Sequence, residues 1–324
     1  MTAGDKADFE FASSPDGDGA RLPDGLFQYV AVTSWAHQLP LLALTVAVFL
    51  LEVIPLELQR RVVNDAVKHR KYSAILLLCA VYAGAVILQG SVKLGLNIYR
   101  AWVGERAKRD LRRRVCIAAE GGSRTADARG TAVSLVVAEV EPVGNFVGGA
   151  VSEPLLQAGI LVAVIIYVIH LDALMGAVAL ALFIPQMIFV PVMQHAMSRR
   201  SGAWVRLLRQ IGTGLVATDY RQGTIIAAEM PSIDRVFHVN MRIFEMKFTM
   251  NFLMNLCSHA QIITALLLGC WRVLQGDLEI GGVVAFISGI GRLIDPWGDL
   301  VNYSRDLGIN SVKFKLLAAA INDH

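Results

Sequence analysis

Among the ionisable residues inside long apolar runs are Glu52, Glu153, His259, Arg292 and Asp295. A charge in hydrocarbon is costly, so each is a candidate for handling a substrate, an ion or a proton. Arg292 and Asp295 are three residues apart, which puts them on one face of a helix. They read either as a self-neutralising structural pair or as a polar patch on a cavity wall, with Pro296 beside them able to kink the helix. Glu153 precedes Pro154. A carboxylate such as Glu153 or Asp295 suits a cationic substrate, and a carboxyl group shielded from water can carry a proton. His259 is either a further proton carrier or hydrogen-bonded filler. Glu52 is placed toward the outer end of its run, within reach of water. Met187, Phe189, Met250, Phe252 and Met254 suit an adaptable apolar pocket or ordinary packing. No metal site is expected: the seven histidines include no HExxH and no cysteine partner at zinc spacing. Cys79, Cys116, Cys257 and Cys270 form no CxxC pair and are expected to be small core hydrophobes.

The elements that must position these residues follow from composition. Of 324 residues 55% are hydrophobic and only 18% charged, and the mean hydropathy is +0.51. Soluble domains carry about 25% charge, so a chain solvated largely by lipid is expected. A net charge of +3 is too small to suggest nucleic acid. Apolar runs fall at 39–58, 74–99, 145–169, 173–195, 249–271 and 282–303. Each reaches the ~20 residues that a bilayer core requires. In lipid the backbone must satisfy its own hydrogen bonds, so these runs are predicted to be helices. The fold class is therefore all-α, with six transmembrane helices.

Residues 1–21 are acidic and rich in small residues, and are expected to be a disordered tail without a signal peptide. Residues 22–38 carry aromatic residues around a modest apolar stripe. They suit an interfacial helix, or else the first turns of the next span. The membrane domain covers 39–315, and 316–324 form a C-terminal tail. Of the thirty Lys and Arg residues, 22 fall on one side of the six spans and 6 on the other. The rule that basic residues stay inside then predicts an inner-membrane protein with both termini cytoplasmic. Arg60, Arg61, Lys68, Arg70 and Lys71 run against it.

The two inner connections are each about fifty residues long and are not low in complexity. RAWVGERAKRDLRRRVCIAAE (100–120) is built of good helix formers, so span two is expected to continue past the membrane. Gly121 to Gly130 break it, and 131–147 resume. The second connection repeats this plan, with 197–214 extending span four, a break within 219–232, and a return over 233–247. Long exposed helices gain little from burial, so their tips are expected to meet another protein. Gly144 and Gly148 form a GxxxG, which marks either a close helix contact or chance in a Gly-rich chain.

At this point the chain, from about Leu22 to Ile321, resembles the transmembrane domain of the ATP-binding-cassette exporters. LFQYVAVTSWAHQLPLLAL resembles that family's elbow helix leading into its first span. Gly104, Glu105, Arg106, Leu111 and Arg112 match its G-E-R…L-R run. Gly130 to Ser134 resemble a segment after its first coupling helix, although Thr131 stands for the family acid, Leu135 for its arginine and Glu139 for its usual aspartate. Asp219, Gly223, Ile225, Ile226 and Phe237 match the surroundings of the second coupling helix, where Ala228 replaces a lysine. The fullest match is GDLEIGGVVAF, Gly276 to Phe286, followed by Pro296.

The resemblance implies a domain-swapped homo- or heterodimer of transmembrane subunits. It implies coupling helices near 119–129 and 227–234 docked on a nucleotide-binding ATPase subunit. The residues so implicated are Ser123, Arg124, Asp127, Arg129, Glu229, Pro231 and Asp234. The sequence has no G-x-x-x-x-G-K-[ST] phosphate loop and no glycine-rich signature loop. No catalytic residue or cofactor is expected in this chain, with ATP and Mg belonging to a separately encoded partner. Two other readings stand beside this permease. One is an ATP-independent, proton-coupled secondary transporter on the same fold, and the other is a membrane scaffold or receptor that transports nothing.

Overall fold

The computed structural model describes residues 22–68, 72–121, 139–217 and 224–322. Side chains are described for these except at 119–121, 205, 209–217, 224–229 and 320. Among the described residues the regular structure is all α-helical. In chain order the helices are α1 (Leu26–Leu51), α2 (Ile54–Lys68), α3 (Tyr72–Gly121), α4 (Val140–Gly149), α5 (Ser152–Leu171), α6 (Ala173–Ala217), α7 (Thr224–Leu274), α8 (Ile280–Gly291) and α9 (Ile294–Asn322). Six stretches are long and apolar enough to cross a membrane: Leu26–Lys68, Tyr72–Ala118, Ser152–Leu171, Ala173–Leu208, Met230–Leu274 and Ile280–Ala319. Five of the six apolar runs of the sequence fall within one of them; the third, 145–169, begins in α4, is broken at residues 150 and 151, and continues in Ser152–Leu171.

Two details differ from the sequence expectation. α1 passes without interruption through residues 38 and 39 and through Pro40, so no separate helix precedes the one that carries the first apolar run. The expected second coupling helix is the opening of α7, which starts at Thr224 and continues through Pro231 to Leu274. The cysteines also differ. Cys79, Cys116 and Cys270 are exposed and Cys257 is half-buried, so they are not core residues of this chain.

Two compact units are present. The first consists of Met1–Leu41, Asn97–Ser152 and Arg305–His324. In it the Tyr29 hydroxyl donates to Asp110 Oδ2 at 2.9 Å, and its ring lies 5.4 Å from that of Phe314. Asn322 bonds both the N–H and the carbonyl of Leu22, at 2.8 and 2.9 Å. α4 crosses the later half of α3 at very close range. A Cβ on Gly144 would overlap the Lys108 side chain, one on Gly148 would overlap the Arg100 carbonyl, and one on Gly104 would lie 3.1 Å from the Gly144 carbonyl oxygen. The GxxxG is therefore a close helix contact, with Gly104 opposite it.

That crossing also accounts for the G-E-R…L-R run. Lys108 is buried and donates to Glu105 and Glu141, both at 2.6 Å, while Arg112 reaches Glu141 at 2.9 Å. The hydrogen bond from Lys108 holds the Glu141 carboxyl below its usual range. Leu111 is fully buried. Arg106 donates to His37 Nε2 at 3.1 Å and lies 5.5 Å from the Trp102 ring centroid. Arginine has no lone pair to offer, so Nε2 accepts and the proton sits on Nδ1, which faces the Tyr99 hydroxyl at 3.0 Å.

The second unit consists of Leu42–Leu96 and Glu153–Ser304. Here α6 packs along α7, and α8 packs on both α2 and α7. The GDLEIGGVVAF segment owes its composition to two tight places. Gly276 has φ +83°, which an L side chain rarely adopts. Gly281 lies so close to α2 that a Cβ would overlap the Arg60 carbonyl, and its N–H donates to Asn64 Oδ1 at 2.8 Å. Glu279 accepts from both Asn64 and Lys68, and the bond from Lys68 lowers its carboxyl pKa. Three of the basic residues that oppose the orientation rule are thus paired, since Arg60 and Arg61 both bond Glu57. Asp172, Arg272 and Asp277 join the ends of α5, α6 and α7 through bonds of 2.8 and 2.7 Å.

Candidate functional site

Two of the spans are broken, and the second unit brings the breaks together. α1 ends at Leu51, where the Glu52 N–H is shared between the carbonyls of Val48 and Phe49. α2 begins at Ile54 with Pro55 in its first turn, where the missing N–H of proline removes no helical bond. α8 ends at Gly291, and the N–H groups of Arg292 and Leu293 turn back to the carbonyls of Gly289 and Ile290 at 3.0 Å each. α9 then starts at Ile294, with Asp295 and Pro296 in its first turn. The two breaks have similar sequences, EVIP and RLIDP: each has a charge, an apolar pair and a proline in the first turn of the next helix, with Asp295 inserted before the proline in the second.

The charged residues at the breaks are each other's partners. Arg292 Nη1 donates to the Glu52 carboxylate at 2.5 Å and to the Glu52 carbonyl at 3.1 Å. Gln89 on α3 donates to the other carboxylate oxygen of Glu52. This corrects the pairing expected from spacing: Arg292 is bonded to Glu52, 240 residues away, and not to Asp295. The i,i+3 rule describes a continuous helix, and the helix breaks between these two residues. The Glu52 side chain is 15% exposed.

A second polar group involves α5 and α9. Gln157, which is buried, donates to Glu153 Oε1 at 2.8 Å and to Asp299 Oδ2 at 3.0 Å. A side-chain amide has two N–H donors, and here one goes to each carboxylate. Glu153, Asp295 and the cation of Lys93 are all within electrostatic reach of Asp299. Asp299 thus has both acidic and basic neighbours. Asp295 and Asp299 are exposed in this chain. Such a group can attract a cation, or hold a proton on one of its carboxyls.

The remaining site candidates are dispersed. His259 is exposed on α7 and has no hydrogen-bond partner among the described residues. Ser123, Arg124, Asp127 and Arg129 lie outside the described residues, and Glu229 is described only as part of the α7 backbone. Pro231 and Asp234 lie in the first turns of α7. No group of three or more His, Cys, Asp or Glu fit for a metal ion exists among the described residues. Sequence reasoning missed Gln89, Gln157 and Asp299. Asp299 had a signal, being four residues after Asp295, whereas an uncharged glutamine in a span does not stand out.

No protein-family model matches the chain, and no curated protein is significantly similar to it. What the structure defines is a class: a helical chain with six candidate membrane spans, two of them broken at a shared ion pair.

Proposed function

We propose that the chain is the permease subunit of a transporter of the ATP-binding-cassette exporter type. In this reading it works as a dimer in a bacterial-type inner membrane, with both termini cytoplasmic. It moves a solute by alternating access, driven by an ATPase outside these 324 residues. The observation that carries this reading is helix length. α3, α6 and α7 have 50, 45 and 51 residues, or about 75, 68 and 77 Å at 1.5 Å per residue. The hydrocarbon layer is about 30 Å thick, so more than half of each helix has no lipid to meet. Stalks of this kind suit docking of a nucleotide-driven partner at their ends, and nucleotide would act by favouring one helix arrangement over another.

The dimer has separate support from α7. Ile233, Phe237, Met241, Phe244 and Phe248 are all exposed and follow the helical repeat as one apolar stripe that begins well before the apolar run at 249. Such a stripe calls for cover by another subunit. The Glu153–Gln157–Asp299 group favours a second reading, a proton-coupled secondary transporter of cationic solutes on the same fold.

Affinity purification of the tagged chain from its native membrane tests both. Under the first reading a nucleotide-binding protein co-purifies, and its ATP turnover rises when this chain is added in lipid nanodiscs. No ATPase in the eluate, together with dye uptake driven by a pH gradient and lost in Asp299→Asn, would move the assignment to the second. Neither activity would leave a scaffold.

A further inference from the structure

Beyond its membrane portion the α6/α7 hairpin holds a groove of about 610 Å³. Arg200 of α6 lines it, together with Asp234, Arg235, His238 and Arg242 of α7, over an apolar floor that includes Val239. The groove is strongly cationic: three guanidinium groups and an imidazole surround a single carboxylate. Several arginines elsewhere among the described residues have acidic partners. Arg60 and Arg61 have Glu57, Arg112 has Glu141, Arg114 has Asp110, Arg272 has Asp172 and Arg292 has Glu52. Arg235 and Arg242 have no ion-pair partner among the described residues, although Asp234 and Glu245 are close to them in sequence. Arg200 is turned to the Met246 sulfur, not to an acid.

Position narrows the ligand. Arg200 follows the apolar run 173–195 by five residues, and Arg242 precedes the run at 249 by seven. With the apolar runs taken as the hydrocarbon-spanning parts, ~1.5 Å per residue puts both about 8–10 Å past their ends, where long side chains reach the headgroup layer. Arg235 is seven residues further out, so the arginines form a ladder roughly 10 Å long. Guanidinium groups bind phosphate oxygens in pairs, and basic pockets between membrane helices take phosphate-bearing headgroups.

We infer that the α6/α7 groove is a binding site for a phosphate-bearing anion, held by Arg200, Arg235 and Arg242 with His238 beside them. The ladder's length fits a ligand with two phosphates better than one with a single phosphate. The site does not depend on the transport reading and stands whether or not an ATPase partner exists.

The test uses the full chain in a neutral detergent. Native mass spectrometry compares retention of phosphatidylglycerol, cardiolipin and phosphatidylcholine, and titration calorimetry measures binding of inorganic pyrophosphate. The wild type should favour cardiolipin over phosphatidylcholine by about tenfold or more, given roughly thirtyfold for the combined pull of two arginines. Arg235→Gln with Arg242→Gln should abolish that preference, and Arg235→Lys with Arg242→Lys should keep part of it. Arg305→Gln with Lys315→Gln removes the same charge elsewhere and should leave the preference intact. Helix content by circular dichroism and elution volume show that each variant is folded. Pyrophosphate that binds and displaces the lipid identifies a soluble ligand, and lipid retention without pyrophosphate binding identifies a headgroup. Either result supports the site. No anion preference in the wild type, or equal loss in both charge-removing pairs, would overturn it.

Discussion

The two compact units place polar groups among apolar helices in opposite ways. In the first, the charges that meet are near one another in sequence or on helices in direct contact, as with Lys108 between Glu105 and Glu141. Its close contacts are made by backbone, since glycines at 104, 144 and 148 let α3 and α4 approach. In the second, two helices are interrupted, and the charges freed at the interruptions satisfy each other across 240 residues of chain. The difference shows where rigidity and pliability reside. A continuous helix with a glycine contact resists bending, whereas a helix break concentrates bending at two or three residues.

The largest effect should come from breaking the pair at the interruptions. Arg292→Met leaves the half-buried Glu52 with only Gln89 and should cost up to about 3 kcal/mol, as expected for a carboxylate that loses its main partner. Thermal unfolding in detergent would show it. Adding Glu52→Gln should return part of the loss, and strictly additive effects would mean that the pair is not coupled.

The first unit is probed by Gly148→Ala, whose new methyl meets the Arg100 carbonyl. Forcing extra volume into packed backbone costs about 1–3 kcal/mol. Gly90→Ala on α3 is its counterpart. It has open space around it and should gain about 0.5–1 kcal/mol from helix propensity. Equal behaviour of the two variants would remove the close crossing from the account.

Gln157→Leu takes away the donor shared by Glu153 and Asp299. It should cost about 1–3 kcal/mol, and adding Asp299→Asn should recover some of it by removing one of the facing charges. A full loss that persists in the double variant would argue that Gln157 serves packing only.

The smallest effect belongs to Glu141. Its folded-state pKa lies below the ordinary 4.5, so its contribution is fully present above that value and is lost as pH falls through the folded pKa. Wild type and Glu141→Gln should therefore differ in melting temperature near neutral pH and converge in acid. High salt should shrink the difference, because the group is exposed. A difference that grew in acid would reverse the sign of this argument.

The spans were legible in the sequence because a run of ~20 apolar residues has few other uses. Arg292, Asp295 and Pro296 were also visible as a special place. Their geometry was not, because spacing rules assume an unbroken helix and cannot see Glu52 arriving from another one. The GxxxG at 144–148 could be read, but not Gly104 opposite it, since a glycine is informative only against a known neighbour. Ser123, Arg124, Asp127 and Arg129 were singled out by resemblance alone and lie outside the described residues.

The attachment of α2 to α8 has a mechanical consequence. These two half-helices are joined at one end by Glu279 with Asn64 and Lys68, and at the other by Glu52 with Arg292. Fastened at both ends, they can tilt only as one slab, and a bend in the first span must be matched by a bend in the sixth.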